Sequence, residues 1–248
     1  MTAPLKLAIL ETDVLRPALK PTYHSYGRMF TSLLNRVEFD GVIKVFEVID
    51  GHYPDAIDDF DAFLITGSKH DAFSDDDWIV QLRTYCQAVF QAAKPMIGIC
   101  FGHQLLAQAL GGQAGRSGRG WGLGIMEYQI NEDSDKSLPS FVDSPRPVTL
   151  LISHQDQVLR LPPGASTLLS NDFCPFAAYH IPDRVLCFQG HPEFDKPYQQ
   201  TLLAYRKSDI SAAHMQAVES SLALEHQGER IARWMCDFLD KNHHQQAG

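Results

Sequence analysis

The feature that most constrains this chain lies in residues 95–110, PMIGICFGHQLLAQAL. The apolar run at 95–99 predicts a short buried strand, and the apolar residues after position 104 recur at helical spacing. Cys100 stands at the turn between them, with Gly98 and Gly102 two positions to either side. Small residues permit the strained backbone and the close strand–helix approach of a nucleophile elbow. We therefore expect a strand, a sharp turn and a helix with a thiol at the apex.

A thiol in this position is a candidate nucleophile. Cys100 would lie at the N-terminus of a helix, where unpaired N–H groups and the helix dipole stabilise a thiolate. The alternative is that Cys100 is a buried small apolar residue, as many intracellular cysteines are. The elbow pattern alone leaves both interpretations open.

A second stretch, CFQGHPEF at residues 187–194, favours the catalytic interpretation. A cysteine nucleophile needs a base, and the base needs a group that orients it. His191 and Glu193 are two positions apart in an extended segment, so their side chains leave the same side of the chain. Cys100, His191 and Glu193 thus form a predicted catalytic triad.

The two motifs together, GICFGHQ and QGHPE, resemble those of the class I, or triad, glutamine amidotransferases. The similarity is to free-standing relatives of the GMP synthase glutaminase domain, and it covers residues 5–194. It implies that Cys100 is the nucleophile, His191 the base and Glu193 the orienting acid. It also implies a flavodoxin-like α/β architecture in which the nucleophile elbow follows a central strand.

The order of apolar segments independently predicts an α/β fold with an open, mostly parallel central sheet. Apolar runs at 5–10, 42–49, 61–66 and 95–99 alternate with helical segments, which is typical of parallel strands covered by helices on both faces. Cys100 then falls at the carboxyl end of a strand, where such sheets bind ligands.

Helices are predicted at 22–36 and from Ser74 to about residue 93, with Ser74 as the N-cap and Asp77 at the third helical position. A metal-binding interpretation of this acidic run is weaker, because it lacks the spacing of a calcium loop. The glycine-rich stretch 115–124 is expected to be a loop that leads into a strand at 125–130. Further short strands are predicted at 148–152, 168–169, 176–181 and 185–189, with a polar surface loop at 131–143 between the two groups.

We predict one amidotransferase-like domain, 1–196, followed by a C-terminal helical extension, 197–248, packed on the same domain. The extension carries an apolar helical stripe, which most often packs on its own domain; binding of a partner is the alternative. The stripe consists of Ile231, Trp234, Met235 and Phe238.

Backbone N–H groups are expected to stabilise the oxyanion. An elbow places the N–H of Phe101 there, and the resemblance assigns a second donor to the turn at Gly67 and Ser68. This turn reads Thr-Gly-Ser-Lys-His, whereas the family usually has Gly-Gly-Pro. The sequence therefore does not determine which backbone N–H of the turn faces the oxyanion.

The resemblance also implies the residues that bind the substrate. Gln104 is one turn into the helix, on the face of Cys100, and the segment SHQDQV at 153–158 matches a family segment beside the glutamine site. Trp121 is expected to border the same pocket. The predicted substrate-binding residues are Gln104, Ser153, His154 and Gln155.

Composition excludes several function classes. The net charge of −9 argues against nucleic-acid binding, which needs clustered Lys and Arg. No apolar run reaches the length of a membrane span, and the N-terminus lacks a signal-peptide pattern. Five scattered cysteines without CxxC spacing indicate reduced thiols, and hence a cytoplasmic protein, rather than disulfides or a zinc site. No metal and no cofactor are expected.

The leading functional prediction is hydrolysis of the glutamine γ-amide through a γ-glutamyl thioester. No synthetase domain follows the triad, so an amidotransferase would hand ammonia to a separate synthetase or acceptor subunit. The first alternative is a γ-glutamyl peptidase acting on glutathione-like compounds, as plant enzymes of this free-standing type do. A catalytically silent binding or regulatory module is the alternative from another class. An elbow thiol with a different acid is disfavoured by the His-x-Glu pair.

Overall fold

The computed structural model describes residues 3–131 and 138–246 of the 248-residue chain. The strands within them are β1 (Leu5–Glu11), β2 (Gly41–Glu47), β3 (Ala62–Ile65), β4 (Met96–Ile99), β5 (Gln113–Arg116), β6 (Gly122–Ile130), β7 (Val148–His154), β8 (Asp156–Arg160), β9 (Ser166–Ser170), β10 (Ala178–Ile181) and β11 (Val185–Phe188). The helices are α1 (Lys20–Tyr23), α2 (Tyr26–Arg36), α3 (Asp77–Gln91), α4 (Phe101–Ala109), α5 (Lys196–Ala204), α6 (Ala212–Ser221) and α7 (Gly228–Gln246). None of these helices has the length and apolar character needed to cross a membrane.

The central sheet has nine strands in the order β2-β1-β3-β4-β11-β10-β9-β6-β7. The first five strands pair in parallel, and the four pairings that follow are antiparallel. Each antiparallel pairing reverses the strand direction. Strands β10 and β6 therefore run opposite to the parallel strands, and β9 and β7 run in the same direction as they do. Seven of the nine strands therefore point the same way, which confirms the predicted mostly parallel sheet. Strands β5 and β8 form a separate antiparallel pair.

Helices cover both faces of the parallel half, as predicted. On one face, α2 and α7 contribute apolar side chains to a core with β1 and β4; these include Phe30, Leu33, Leu34, Ile231, Trp234, Met235 and Phe238. On the other face, α3 and α4 do the same with Ile79, Leu82, Cys86, Val89, Leu105 and Leu106. The apolar stripe of α7 thus packs on the chain's own sheet. The boundary between residues 196 and 197 stays a prediction.

Helices α5 and α6 pack on the antiparallel part of the sheet. Tyr198 and Leu203 of α5 and Val218 of α6 join a third cluster with Leu123 and Leu151 of β6 and β7. This packing places the end of α5 beside the carboxyl ends of the parallel strands, where the candidate site lies.

The sheet topology gathers four loops at one edge. Strands β1, β3, β4 and β11 are neighbours, so the segments that follow them meet at their carboxyl ends. These segments carry Thr12, Gly67, Cys100 and His191 in turn. The antiparallel part of the sheet curves back toward this edge. The backbone N–H of His191, which follows β11, donates to the Leu151 oxygen of β7 at 2.8 Å, although three strands separate β11 and β7 in the sheet order.

Two helix starts differ from the sequence predictions. The helix predicted from residue 22 begins at Tyr26, because His24 has a φ of 62° and Ser25 caps α2 by accepting from the Arg28 N–H at 3.2 Å. The helix predicted from Ser74 begins at Asp77. The Ser74 hydroxyl accepts from the N–H of Asp76 at 3.2 Å within a turn, so Ser74 does not cap α3.

The glycine-rich stretch is more ordered than expected at both ends. Strand β5 takes in its first residues, and β6 begins at Gly122 rather than at 125 because Gly122 pairs with His154 of β7. A side chain at Gly122 would collide with the Phe173 ring at 2.5 Å. The loop predicted at 131–143 lies partly outside the described residues, which omit 132–137.

Candidate active site

Cys100 joins β4 to α4 with a φ of 51°, a conformation that residues with side chains adopt at a cost. The first turn of α4 lies hard against β3 and β4. A Cβ at Gly102 would come within 2.3 Å of the Ile65 carbonyl oxygen, and one at Gly98 within 2.6 Å of the Gly102 oxygen. Both glycines are therefore needed for the sharp turn that presents the Cys100 thiol at the sheet edge.

The imidazole of His191 is held along its edge and on its face. Its Nδ1 atom lies 2.8 Å from Oε1 of Glu193. Its ring stacks on Phe194, with centroids 3.9 Å apart and planes 6° from parallel. The same imidazole and the Cys100 side chain both lie against Gly67 and line one cleft. Because Nδ1 is committed to Glu193, Nε2 is the nitrogen left for the sulfur.

The charges around His191 favour its protonated form. Burial alone lowers the pKa of His191, but the negative charges of Glu193 and Cys100 outweigh burial and raise that pKa to about 10. The protonated imidazole is therefore favoured at neutral pH, beside the side chains of Glu193 and Cys100. A thiolate paired with such an imidazolium is the reactive form of a cysteine nucleophile.

Gln189 is a further residue at the thiol, which the sequence predictions did not include. Its Nε2 lies 3.6 Å from the Cys100 sulfur, within the longer reach of a hydrogen bond to sulfur. Its Oε1 accepts from Nε2 of Gln104 at 3.0 Å. The signal was available, because Gln189 begins the QGHPE motif.

The turn after β3 lies directly beside the Cys–His pair. A Cβ at Gly67 would be 2.9 Å from Cε1 of His191 and 3.7 Å from Cβ of Cys100. The Thr12 hydroxyl donates to the Gly67 carbonyl oxygen at 2.9 Å, and the Thr12 N–H donates to the Thr66 hydroxyl at 3.0 Å. Thr12 therefore fixes the orientation of this turn.

This orientation decides which N–H groups are available. In a trans peptide the C=O and N–H point in opposite directions, so a Gly67 carbonyl held by Thr12 sends the Ser68 N–H to the other side. Ser68 and Phe101 both line the cleft above Cys100. Phe101 is the first residue of α4, where a backbone N–H has no acceptor within the helix. These two N–H groups are candidate donors beside the thiol.

One cleft, with a volume of about 240 Å³, brings most of the predicted site residues together. Gly67 and Glu193 are outside its lining and stand behind Cys100 and His191. The predicted residues that line it are Ser68, Cys100, Phe101, Gln104, Ser153, His154, Gln155 and His191. Trp121 lines it too, as expected.

Two of the predicted substrate-binding side chains are also tied to the protein. The amide nitrogen of Gln104 donates to the Asp156 carbonyl oxygen at 2.8 Å as well as to Gln189. Nδ1 of His154 lies 3.0 Å from the same carbonyl. Burial lowers the pKa of His154 to about 4, so this ring is neutral at neutral pH.

Several charged residues of the cleft were missed from the sequence. Arg116 pairs with Asp156 at 2.5 Å and with Asp71 at 3.5 Å, and so bridges the turn after β3 to β8. Arg16 and Arg206 line the same cleft. They come from a loop and from the end of a helix, and no local pattern distinguishes them from other surface arginines.

Comparison with known protein families gives a match that includes both sequence motifs. The family model described as Glutamine amidotransferase class-I matches residues 47–207, which include Cys100, His191 and Glu193. The chain belongs to the class I glutamine amidotransferase family. Membership confirms the resemblance seen in the motifs and the prediction of an enzyme.

Curated relatives of this amidotransferase-family chain include plant proteins. It is 41% identical to Gamma-glutamyl peptidase 3 of Arabidopsis thaliana over 182 residues, 72% of each chain. It is 38% identical to Gamma-glutamyl peptidase 5 of the same plant, over 72% of this chain and 71% of that protein. A shorter match of 100 residues, 39% identical, relates it to one subunit of the glutamine-hydrolyzing GMP synthase of Archaeoglobus fulgidus and covers 40% of this chain and 52% of that protein.

Solved structures confirm the fold of this amidotransferase-family chain. A glutamine amidotransferase of Thermotoga maritima superposes with a TM-score of 0.74 at 14% identity, covering 98% of this chain and 99% of that one. A glutamine amidotransferase of Methylobacillus flagellatus gives a TM-score of 0.69 at 19% identity, over 96% and 94% of the two chains.

Proposed function

We propose that the chain hydrolyses γ-glutamyl amide bonds through a thioester on Cys100. His191 is the general acid and general base of this reaction. Glu193 orients the imidazole and stabilises its protonated form. The observation that supports the proposal is the imidazole of His191, which is bound to Glu193 through Nδ1 and lines one cleft together with Cys100.

The first half of the reaction forms the thioester. The Cys100 thiolate attacks the γ-carbonyl carbon, and the carbonyl electron pair moves onto its oxygen to give a tetrahedral oxyanion. As the oxyanion collapses, the C–N bond breaks and the departing amine takes the proton of the His191 imidazolium. The products of this step are a free amine, a γ-glutamyl thioester and a neutral imidazole.

Hydrolysis of the thioester restores the enzyme. Neutral His191 takes a proton from water as the water oxygen attacks the thioester carbon, which forms a second tetrahedral intermediate. Collapse of this intermediate breaks the C–S bond and returns the Cys100 thiolate beside the imidazolium. Glutamate leaves, and its γ-carboxyl group releases a proton to solvent.

The proposed oxyanion donors are the N–H groups of Ser68 and Phe101, with Gly67 supplying the turn that carries the first. The hydrogen bond by which Thr12 holds the Gly67 carbonyl oxygen supports the first donor, and the position of Phe101 at the start of α4 supports the second. The glutamyl end is assigned to the side of the cleft formed by α4 and the β7–β8 segment, where Gln104, Ser153, His154 and Gln155 lie.

Two substrates fit this chemistry, and they differ in the departing amine. Glutamine releases ammonia, which an amidotransferase passes to a separate synthetase subunit; the match to the archaeal GMP synthase supports this candidate. A γ-glutamyl peptide releases an amino acid or peptide, and no separate acceptor protein is then required. We favour the peptide, because the γ-glutamyl peptidases match nearly twice as much of the chain.

The test compares glutamate release from L-glutamine and from γ-glutamylglycine by the purified protein. We expect hydrolysis of γ-glutamylglycine with the higher kcat/KM, and its loss in Cys100→Ala. Cys236→Ala is the matched control, because Cys236 is a cysteine of α7 remote from the cleft; it should retain activity. Release from glutamine alone would favour the glutaminase.

The same assay distinguishes an enzyme from a catalytically silent module. No release from either compound by a folded sample, with or without a candidate synthetase subunit, would contradict the proposal and favour a binding or regulatory role.

We also propose a cytoplasmic location, since the five cysteines are free thiols in the structure. Fractionation of cells that produce the protein tests this location.

A further inference from the structure

The side of the cleft beyond His191 carries two arginines and an indole that the proposed reaction does not use. Arg206 follows α5, Arg16 lies in the loop after β1, and Trp121 precedes β6. The guanidinium of Arg206 stacks over the Trp121 ring, 3.8 Å from its centroid. The guanidinium of Arg16 lies 4.4 Å from the centroid of the Tyr205 ring. We call Arg16, Trp121, Leu202 and Arg206 the outer cleft; all four line the same cavity as Cys100.

The other cations of this cavity already have carboxylate partners. Lys69 is ion-paired with the buried carboxylate of Asp13, and Arg116 is paired with Asp71 and Asp156. These pairs account for the acidic side chains that line the cavity. Of the lysine and arginine side chains that line the cavity, Arg16 of the outer cleft is the one left without a carboxylate partner in the part of the chain that the structure describes.

The two arginines of the outer cleft have one carboxylate partner between them. Arg206 is ion-paired with Asp209 at 3.3 Å, a residue outside the cavity lining, and no ion pair holds Arg16 within the described chain. Burial lowers the pKa of Arg206, Asp209 opposes this, and the positive charge of Arg16 lowers the pKa further. Two like charges that line one cavity and repel each other favour an anion beside them. The planar guanidinium groups suit a carboxylate in particular.

The reaction itself places the departing amine on this side of the cleft. The proton that the amine receives comes from His191, so the leaving nitrogen must lie within hydrogen-bond reach of that ring. The His191 ring stacks on Phe194, and Phe194 packs on Tyr198 of α5 with centroids 4.1 Å apart. The path from His191 along these rings leads to Leu202 and Arg206 at the end of α5. The glutamyl end is assigned to the other side, at Gln104 and β7–β8.

We propose that the outer cleft is a subsite for the leaving group, in which Arg16 and Arg206 bind a carboxylate carried by the departing amine. Trp121 and Leu202 contact the rest of that amino acid or peptide. The ligand class is a γ-linked glutamyl amino acid or short peptide with a free C-terminal carboxylate. This inference rests on the proposed function for the direction of the substrate. It adds residues that determine specificity and that lie outside both sequence motifs.

The test uses a matched pair of substrates, γ-glutamylglycine and its C-terminal amide, which differ in the carboxylate alone. The measured quantity is the ratio of kcat/KM for the acid to kcat/KM for the amide. We expect a ratio of roughly ten to a hundred in the wild type, the range of one or two charge-assisted hydrogen bonds. In Arg16→Gln and in Arg206→Gln the ratio should fall toward one.

Two further variants separate the role of the charge from folding. Arg206→Lys keeps the positive charge and should retain part of the preference for the acid. Arg233→Gln removes an exposed arginine of α7, whose side chain is 60% exposed, and should leave the ratio at the wild-type value. A ratio near one in the wild type, or a wild-type ratio that persists in Arg16→Gln and Arg206→Gln, would overturn the subsite.

A binding measurement keeps the subsite testable apart from turnover. Calorimetric titration of Cys100→Ala with the same two compounds should show tighter binding of the acid, and the preference should be lost when Arg206→Gln is added. If the wild type hydrolyses neither compound but this binding preference is present, the proposed function fails and the outer cleft is retained as a carboxylate-binding site without a leaving-group role. If hydrolysis is present and neither kinetics nor titration distinguishes acid from amide, the subsite fails and the proposed function stands.

Discussion

Glu193 holds the imidazole of His191 through a hydrogen bond of 2.8 Å between its Oε1 and Nδ1 of the ring. Both side chains are almost fully buried, with 0% of Glu193 and 5% of His191 exposed. A buried carboxylate fixes both the orientation and the charge of a catalytic imidazole, since it directs the other nitrogen and stabilises the imidazolium.

Replacement of Glu193 by glutamine tests this relationship. Glu193→Gln keeps the size of the side chain and removes its charge, so we expect kcat/KM to fall by roughly a hundred- to ten-thousandfold. Measurement of γ-glutamylglycine hydrolysis checks the change. Glu225→Gln is the control, because the Glu225 side chain is 95% exposed; it should keep wild-type activity. A Glu193→Gln enzyme within a few fold of the wild type would argue against the orienting role.

The pKa of His191 also predicts how stability depends on pH. This pKa is about 10 in the folded chain against an ordinary value of 6.5, so the protonated ring stabilises the fold. The contribution is complete below pH 6.5 and is lost as the pH rises from 6.5 to about 10. The difference in free energy of unfolding between the wild type and His191→Gln should shrink over this window. Urea unfolding at several pH values measures it, and a difference that stays constant or grows would contradict the charge assignment.

The elbow predicts a sharp contrast between two glycines. Gly102→Ala places a methyl group 2.3 Å from the Ile65 carbonyl oxygen, so backbone must move. We expect the free energy of unfolding to drop by about 2 kcal/mol or more. Gly118→Ala meets nothing within 4 Å and serves as the matched control. Equal stability of the two variants in urea unfolding would show that α4 does not depend on this close approach.

The strand–turn–helix unit, the motif residues and the two-faced sheet could be predicted from the sequence because their signals are local. Spacing of apolar residues indicates strands and helices, and Gly98 and Gly102 mark the elbow around Cys100. Helix starts were less predictable. Ser74 has the sequence position expected of an N-cap. Its hydroxyl instead accepts from the N–H of Asp76 and stabilises a turn before the helix.

Residues that act across the fold had no such local signal. Thr12 meets Gly67, and Arg206 meets Trp121, only because β1 lies beside β3 and the end of α5 lies beside the start of β6. These contacts depend on sheet order and on the packing of α5. Gln189 could have been predicted from the sequence, since it belongs to the same motif as His191 and Glu193.

Thr12 yields a prediction about the oxyanion site. Thr12→Val removes the hydroxyl that donates to the Gly67 carbonyl oxygen at 2.9 Å, so the Gly67–Ser68 peptide is held more weakly, by the Thr66 hydroxyl at 3.3 Å. We expect kcat to fall roughly ten- to a hundredfold with a much smaller change in KM, because oxyanion donors act mainly in the transition state. Thr12→Ser should restore most of kcat.

A matched threonine controls for loss of a hydroxyl. Thr84 on α3 donates to the Val80 carbonyl oxygen at 3.0 Å at an exposed position, and Thr84→Val should leave kcat unchanged. If Thr12→Val raised KM and left kcat intact, Thr12 would be supporting substrate binding rather than the oxyanion site.

The most direct test of the central claim is covalent labelling with a glutamine analogue that carries an alkylating diazoketone, followed by mass spectrometry of the digested protein. The account predicts a single adduct on Cys100, slowed by excess γ-glutamylglycine, much slower in His191→Gln and absent in Cys100→Ala. Labelling of a different cysteine, or a folded protein that hydrolyses γ-glutamylglycine while Cys100 stays unmodified, would contradict it.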